Sequence, residues 1–169
     1  LAPTTSTTAQ LVLGDAIAVT LLQLRDFQSG DFAKYHPGGA LGKRLYMRVE
    51  DIMHKSDKPF VHPDADIKDV IMEISSKRLG TTAVIEDSLI IGIITDGDLR
   101  RMIETHQNFE DLSAKDIMSK NPKMILKDAL AVDALQTMEN NNITQLLVVV
   151  DDKYYGVIHL HDLLKEGII

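Results

Sequence analysis

Apolar residues keep three different rhythms along this chain, and each predicts a different kind of element. From about Ala9 to about Phe27 they run almost all round a helix: Leu11, Val12, Leu13, Ala16, Ile17, Ala18, Val19, Leu21, Leu22 and Leu24, with Gln10, Asp15, Thr20 and Gln23 between them. A helix apolar on every side belongs inside a domain or under a partner chain. Thr7 or Thr8 is placed to cap its start. A second rhythm puts Ile67, Val70, Ile71, Ile74 and Leu79 on one face of a helix over Asp66 to Leu79, and repeats over Ala131 to Ile143 with Val132, Ala134, Leu135, Met138 and Ile143. The third is short and unbroken: TTAVIE from Thr81, IIGII from Ile90, QLLVVV from Gln145 and YYGVI from Tyr154. Such runs read as buried strands, with Asp87-Ser88 and Asp151-Asp152-Lys153 as the turns between them. Asp26 to Arg44 carries Gly30, Pro37, Gly38, Gly39 and Gly42 and reads as a loop.

From Met47 onward these rhythms form a duplication. IIGIITDGDLRR (Ile90 to Arg101) returns as YYGVIHLHDLLK (Tyr154 to Lys165): Gly92, Thr95, Asp98 and Leu99 match Gly156, His159, Asp162 and Leu163 at one offset of 64 residues. VEDIMHK (Val49 to Lys55) returns as AKDIMSK (Ala114 to Lys120), and the polar stretch Thr105 to Ser113 links the copies. Each copy reads as a strand or extended segment, a helix, two strands and a helix. A unit of about 60 residues buries only about 60% of its unfolded surface. Two copies packed sheet to sheet would share one core.

Composition narrows the function. The chain has 169 residues with 25% charged, 44% hydrophobic, no cysteine and a formal charge of -7. That is one or two domains of ordinary globular composition. Disulfides and thiolate metal sites are excluded. The negative charge argues against a dedicated nucleic-acid surface, which needs Lys and Arg. No apolar run approaches the roughly 20 residues of a membrane span, and no leader-like segment stands at the start. The expectation is a cytoplasmic protein, or part of one, with no membrane and no nucleic-acid partner.

The candidate chemistry lies where strands hand over to helices. Asp98 and Asp162 could accept the paired hydroxyls of a ribose. Thr95 adds a hydroxyl, and free N–H groups of the following helix suit a phosphate. Those carboxylates would equally serve as helix caps; the glycine and Thr95 kept in register favour a ligand. His159 could line a second cleft as a donor or acceptor whose charge responds to pH. His159 and His161 lack a clearly spaced third ligand, so no metal is assigned. Thr81, Thr82 and Thr144, at the starts of the middle strands, are either ligand contacts or ordinary strand threonines. Arg100 and Arg101 are either phosphate partners or a solvated helix face. GGALGK fails the phosphate-loop pattern, because three residues separate Gly38 from Gly42 and Arg44 follows Lys43.

The DIM openings and the ending GIITDGDL resemble a tandem pair of CBS domains, covering about Met47 to Ile169; GVIHLHDL departs by placing His159 where the first copy has Thr95. Upstream, LAPTTSTTAQLVLGDAIAVTLL and FAKYHPGGALGKRL resemble the end of the sugar-isomerase (SIS) domain of bacterial arabinose 5-phosphate isomerases. The resemblance implies an α+β fold: a CBS pair of two β-α-β-β-α repeats related by a pseudo-two-fold, preceded by a helical remnant of an α/β SIS domain. The implied domains are 1–45, 47–108 and 112–169, and the first would not be self-sufficient, since the chain begins inside it. It further implies interconversion of ribulose 5-phosphate and arabinose 5-phosphate for synthesis of Kdo, a sugar acid of lipopolysaccharide. His36 is the active-site residue carried over, in a site too incomplete for catalysis by this chain alone. No cofactor is implied. The implied partners are a sugar phosphate in the full-length protein, a regulatory CMP-Kdo or adenine nucleotide at Thr95, Asp98, His159, Asp162, Thr82 and Thr144, and further copies of the chain, as a dimer of CBS pairs within a tetramer. The alternative is a CBS pair that binds no ligand and only holds subunits together.

Overall fold

The computed structural model describes residues 2–35, 38–53, 58–106, 108–109 and 111–168. It divides into two compact units, residues 1–45 and 46–169.

The first unit is helical. Helix α1 spans Thr4–Leu24, α2 Ser29–Tyr35 and α3 Ala40–Tyr46. Because α1 starts at Thr4, Thr7 and Thr8 lie inside it rather than at its cap. Their hydroxyls donate back to the carbonyls of Pro3 and Thr4 at 2.9–3.1 Å. The stretch read as one loop contains two short helices; Asp31 opens α2 by accepting from the Gln28 N–H at 3.1 Å and pairing with Lys34 at 2.8 Å. No residue of α1 is buried. Asp15 is its one charged residue, so at 21 residues α1 is long and apolar enough, by length and composition, to cross a membrane. That corrects the expectation that no run nears this length: hydroxyls such as Thr20, which donates to the Ala16 carbonyl at 2.8 Å, are satisfied within the helix. His36 lies outside the described residues.

The second unit carries the duplication. Its first copy comprises α4 (Val49–Ile52), β1 (Phe60–Val61), α5 (Ile67–Lys77), β2 (Thr81–Glu86), β3 (Leu89–Thr95) and α6 (Asp96–Thr105). The second comprises α7 (Ala114–Ile117), β4 (Ser119–Lys120), β5 (Met124–Leu126), α8 (Ala131–Asn141), β6 (Gln145–Val150), β7 (Lys153–His159) and α9 (Leu160–Lys165). The expected order of strand, helix, two strands and helix is present in each copy, and the openings that precede it are single helical turns, each started by a carboxylate: Asp51 accepts from the Arg48 N–H at 2.9 Å and Asp116 from the Ser113 N–H at 2.8 Å. The hairpin turns have positive φ at both central residues, 48° and 70° at Asp87-Ser88 and 48° and 61° at Asp151-Asp152. This is the geometry whose twist matches paired strands. Lys153 already belongs to β7.

The sheets run β1-β2-β3-β4 and β5-β6-β7. In each, the first strand is parallel to the second and the hairpin is antiparallel. The fourth strand of the first sheet comes from the second copy: Gly92 and Ile93 pair with Lys120 and Ser119.

The openings are exchanged. Val49 and Met53 sit in the core of the second copy with Ala134, Leu135, Met138, Leu146 and Val148. The Val49 N–H donates to the Ala129 carbonyl at 3.0 Å, and the Ala131 N–H to the Met47 carbonyl at 2.8 Å. Reciprocally, Ala114 is buried with Val61, Val70, Ile74, Val84 and Ile94, and its N–H donates to the Ala65 carbonyl at 2.9 Å. A third cluster, Leu79, Ala83, Leu147 and Val157 with Ile93 and Tyr154 against it, joins the sheets. The shared core expected from the duplication is therefore present.

Candidate functional site

Strand β3 ends at Thr95, whose extended backbone (φ −118°) turns the chain into α6. Asp98, three residues on, folds back over that start. Its Oδ2 accepts from the Thr95 N–H at 2.8 Å and the Thr95 hydroxyl at 2.6 Å. Its Oδ1 accepts from the Arg101 guanidinium at 2.6 Å and the Ser119 hydroxyl at 2.9 Å. Asp98 is only 6% exposed. Burial opposes ionisation, but the bonds from Thr95, Ser119 and Arg101 outweigh it and hold the carboxyl below its usual range.

Two cavities open from this junction. One of about 220 Å³ is lined by Ile93, Thr95, Asp98, Arg101, Ser119, Lys123, Ile143 and Gln145. The other, of about 470 Å³, is lined by residues including Gly80, Asp96, Arg100, Asn142 and Thr144. They share Thr95, Arg101, Ile143 and Gln145. Both copies thus contribute to one groove, and its lining carries Arg100, Arg101 and Lys123 against Asp96 and Asp98. A concave, mixed-polarity surface with a surplus cation suits a small anionic ligand bearing hydroxyls.

Of the residues singled out in the sequence, Thr95, Asp98 and Thr144 come together at this groove. Thr82 is fully buried and lines neither cavity; its hydroxyl is 3.5 Å from the Ala83 carbonyl. Thr81 is equally buried and donates to the Ile94 carbonyl at 2.9 Å. His159 and Asp162 stand at the matching junction of the second copy and line neither cavity. There the Asp162 Oδ2 accepts from the His159 N–H at 3.4 Å, and His159 Nδ1 accepts from the His161 N–H at 2.9 Å. Lys165, in the place of Arg101, stands 4.0 Å from Asp162. Burial, helped by nearby His161 and Lys165, lowers the His159 pKa against the pull of Asp162.

Ser119, Lys123 and Gln145 were not singled out. The one local signal was at Ser119, a polar residue directly after the second DIM. Gly92, read with Thr95 as part of a ligand pattern, has a packing cause instead: a Cβ there would lie 2.5 Å from the Met118 sulfur.

The CBS domain model matches residues 49–105 and 114–168, and the chain belongs to the CBS domain family. Among solved structures, a CBS domain protein designated NE2398 superposes with a TM-score of 0.65 at 20% identity, over 72% of this chain and 98% of that one. A CBS domain protein from Pyrobaculum aerophilum complexed with AMP superposes at 0.62 and 19%, over 69% and 90%. These likenesses establish the expected tandem α+β fold.

The likeness in sequence extends beyond the CBS pair. The chain is 48% identical over 171 aligned residues to the arabinose 5-phosphate isomerase KdsD of Yersinia pestis, covering all of this chain and 52% of the relative. It is 46% identical over the same length to KdsD of Escherichia coli K12. The expected likeness to arabinose 5-phosphate isomerases is borne out, and the chain spans about half the length of these relatives.

Proposed function

We propose that residues 46–169 are the nucleotide-sensing regulatory part of an arabinose 5-phosphate isomerase. The observation that carries this reading is the groove in which Thr95 and Asp98 of one copy meet Ser119, Lys123 and Gln145 of the other. A ligand held there touches both copies, so its binding is felt by the whole pair. The ribose hydroxyls lie against Asp98 and the phosphate among Arg101, Arg100 and Lys123. Related folds have been solved with AMP, and with 5′-methylthioadenosine and S-adenosyl-L-methionine. The similarity to KdsD along the whole of this chain points to CMP-Kdo, a product further along the same pathway, as the effector. Residues 1–45 are then the end of a sugar-isomerase domain that works on a sugar phosphate in the cytoplasm. His36 belongs to that site, and the chain alone turns over no arabinose 5-phosphate.

Isothermal titration with AMP, ATP, CMP and CMP-Kdo tests this on the wild type, Asp98→Ala and Asp162→Ala. Saturable heat with at least one ligand, lost in Asp98→Ala, is expected. No heat with any of them overturns the sensing role.

A second reading rests on α1, where Leu11, Val12, Leu13 and Leu24 are all more than 60% exposed. Such a surface is covered in a stable protein, and we propose that it helps build a homo-oligomer of dimeric CBS pairs within a tetramer. Sedimentation of the chain with and without residues 1–45 decides: a monomer in both cases removes this role.

A further inference from the structure

Every acceptor position of Asp98 is taken by the protein itself. A carboxylate offers about four lone-pair sites, and four donors reach this one: the Thr95 N–H, the Thr95 hydroxyl, the Ser119 hydroxyl and Arg101. No vacancy remains for a ligand hydroxyl. Two donors cannot readily leave, because the Thr95 N–H is fixed by the backbone and the Thr95 hydroxyl by its place at the helix start. Ser119 stands on β4, held by its pairing to β3. Arg101 is different. Its side chain is 66% exposed while that of Asp98 is 5% exposed, and it lines both cavities.

We propose that Arg101 is a latch on Asp98, released only by a ligand that carries an anion as well as hydroxyls. This rests on the sensing role proposed above and adds a rule of selection to it. An anion in the groove offers the guanidinium a paired acceptor, with Arg100 and Lys123 lining the same groove. As Arg101 swings to the anion, Oδ1 of Asp98 becomes free, and a ligand hydroxyl replaces the lost donor. A neutral nucleoside gives Arg101 nothing to move to and must compete with it for Oδ1. The latch opens without stranding a charge, since the guanidinium exchanges one anionic acceptor for another and the ligand hydroxyl takes its place at Oδ1. The groove therefore selects nucleotides over nucleosides twice, by attracting the phosphate and by withholding the carboxylate until the phosphate arrives.

The test compares AMP with adenosine, and CMP with cytidine, on wild type, Arg101→Ala and Arg100→Ala by isothermal titration. A thermal melt first establishes that each variant is folded. In Arg101→Ala the nucleotide is expected to bind roughly tenfold to a hundredfold more weakly, from loss of a charge-assisted contact. The nucleoside is expected to bind about two- to fivefold more tightly, because the competitor for Oδ1 is gone. Arg100→Ala, which makes no contact with Asp98, should weaken the nucleotide and leave the nucleoside unchanged. Nucleotide binding to the wild type, with a nucleoside that binds Arg101→Ala no better than wild type, overturns the latch while leaving the sensing role intact. No nucleotide binding to the wild type overturns both.

Discussion

Gly92 and Met118 lie so close that the glycine could not carry a side chain without moving the methionine: an added Cβ would meet the sulfur at 2.5 Å and the next side-chain carbon at 2.9 Å. Met118 follows α7, the exchanged opening of the second copy, and Gly92 pairs with Lys120 in the joint between β3 and β4. The glycine is therefore the seat of the exchange.

Gly92→Ala should destabilise the protein by about 1–3 kcal/mol, the usual cost of forcing extra volume into a packed site. Thermal melting should record this as a drop of about 2–4 °C for each kcal/mol. Met118→Ala in the same chain should recover part of the loss by removing the clashing atoms. If the two changes simply add, the contact is not the cause.

The exchange also predicts where damage appears. Met53 belongs to the first copy in sequence but is 5% exposed in the core of the second. Met53→Ala should cost about 2–5 kcal/mol. Hydrogen exchange should then quicken at Leu146 and Val148 of β6 more than at Val84 of β2 or Ile94 of β3. The opposite order would mean that each copy stabilises itself.

Much of this was legible in the sequence, and the illegible part has a common cause. Periods of 3.6 and short apolar runs are local, so α5, α8 and the two hairpins could be read directly, and the fixed offset disclosed the duplication. Nothing local in VEDIM records that Val49 bonds to Ala129, 80 residues away. Thr95 and Asp98 were legible because a polar pair at a strand's end is itself a local sign. Ser119, Lys123 and Gln145 reach the groove through tertiary packing alone. Gly92 was seen but given the wrong cause, because a glycine in register looks the same whether it admits a ligand or a sulfur atom. The helices α2 and α3 were lost to the density of glycine and proline around them.

Asp98 carries a pH signature. Its carboxyl titrates below the unfolded value of about 3.9. The folded state thus holds the proton less readily than the unfolded chain, and the ionised group adds stability above that value. The contribution is lost as pH falls through the depressed folded value. Asp98→Asn should therefore lower the urea midpoint at pH 7. The gap to the wild type should begin to narrow below about pH 4, where the unfolded carboxyl takes up its proton, and should close only once the folded carboxyl is protonated as well. A gap that stays constant down to pH 2 would show that the charge of Asp98 contributes nothing.

His159 predicts a second pH effect, nearer neutrality. Its Nδ1 accepts the His161 N–H at 2.9 Å. A protonated imidazole has no lone pair to offer, so charging the ring at Nδ1 breaks this cap. Burial, His161 and Lys165 also disfavour the charge, against the pull of Asp162. The folded pKa therefore lies below the unfolded value of about 6.5. Stability from neutral His159 is present above that value and is lost as pH falls through the folded pKa, because the unfolded chain takes the proton first. The first copy supplies the control, since Thr95 holds the same place with a side chain that does not titrate. His159→Thr should keep a capping oxygen and flatten the dependence of melting temperature on pH between about 7 and 5. Histidines away from this junction contribute equally to both proteins, so the informative quantity is the difference between the two melting curves at each pH. A difference that does not change across that window would mean His159 titrates alike in the folded and unfolded chain, and that its departure from Thr95 gives the second junction no sensitivity to acid.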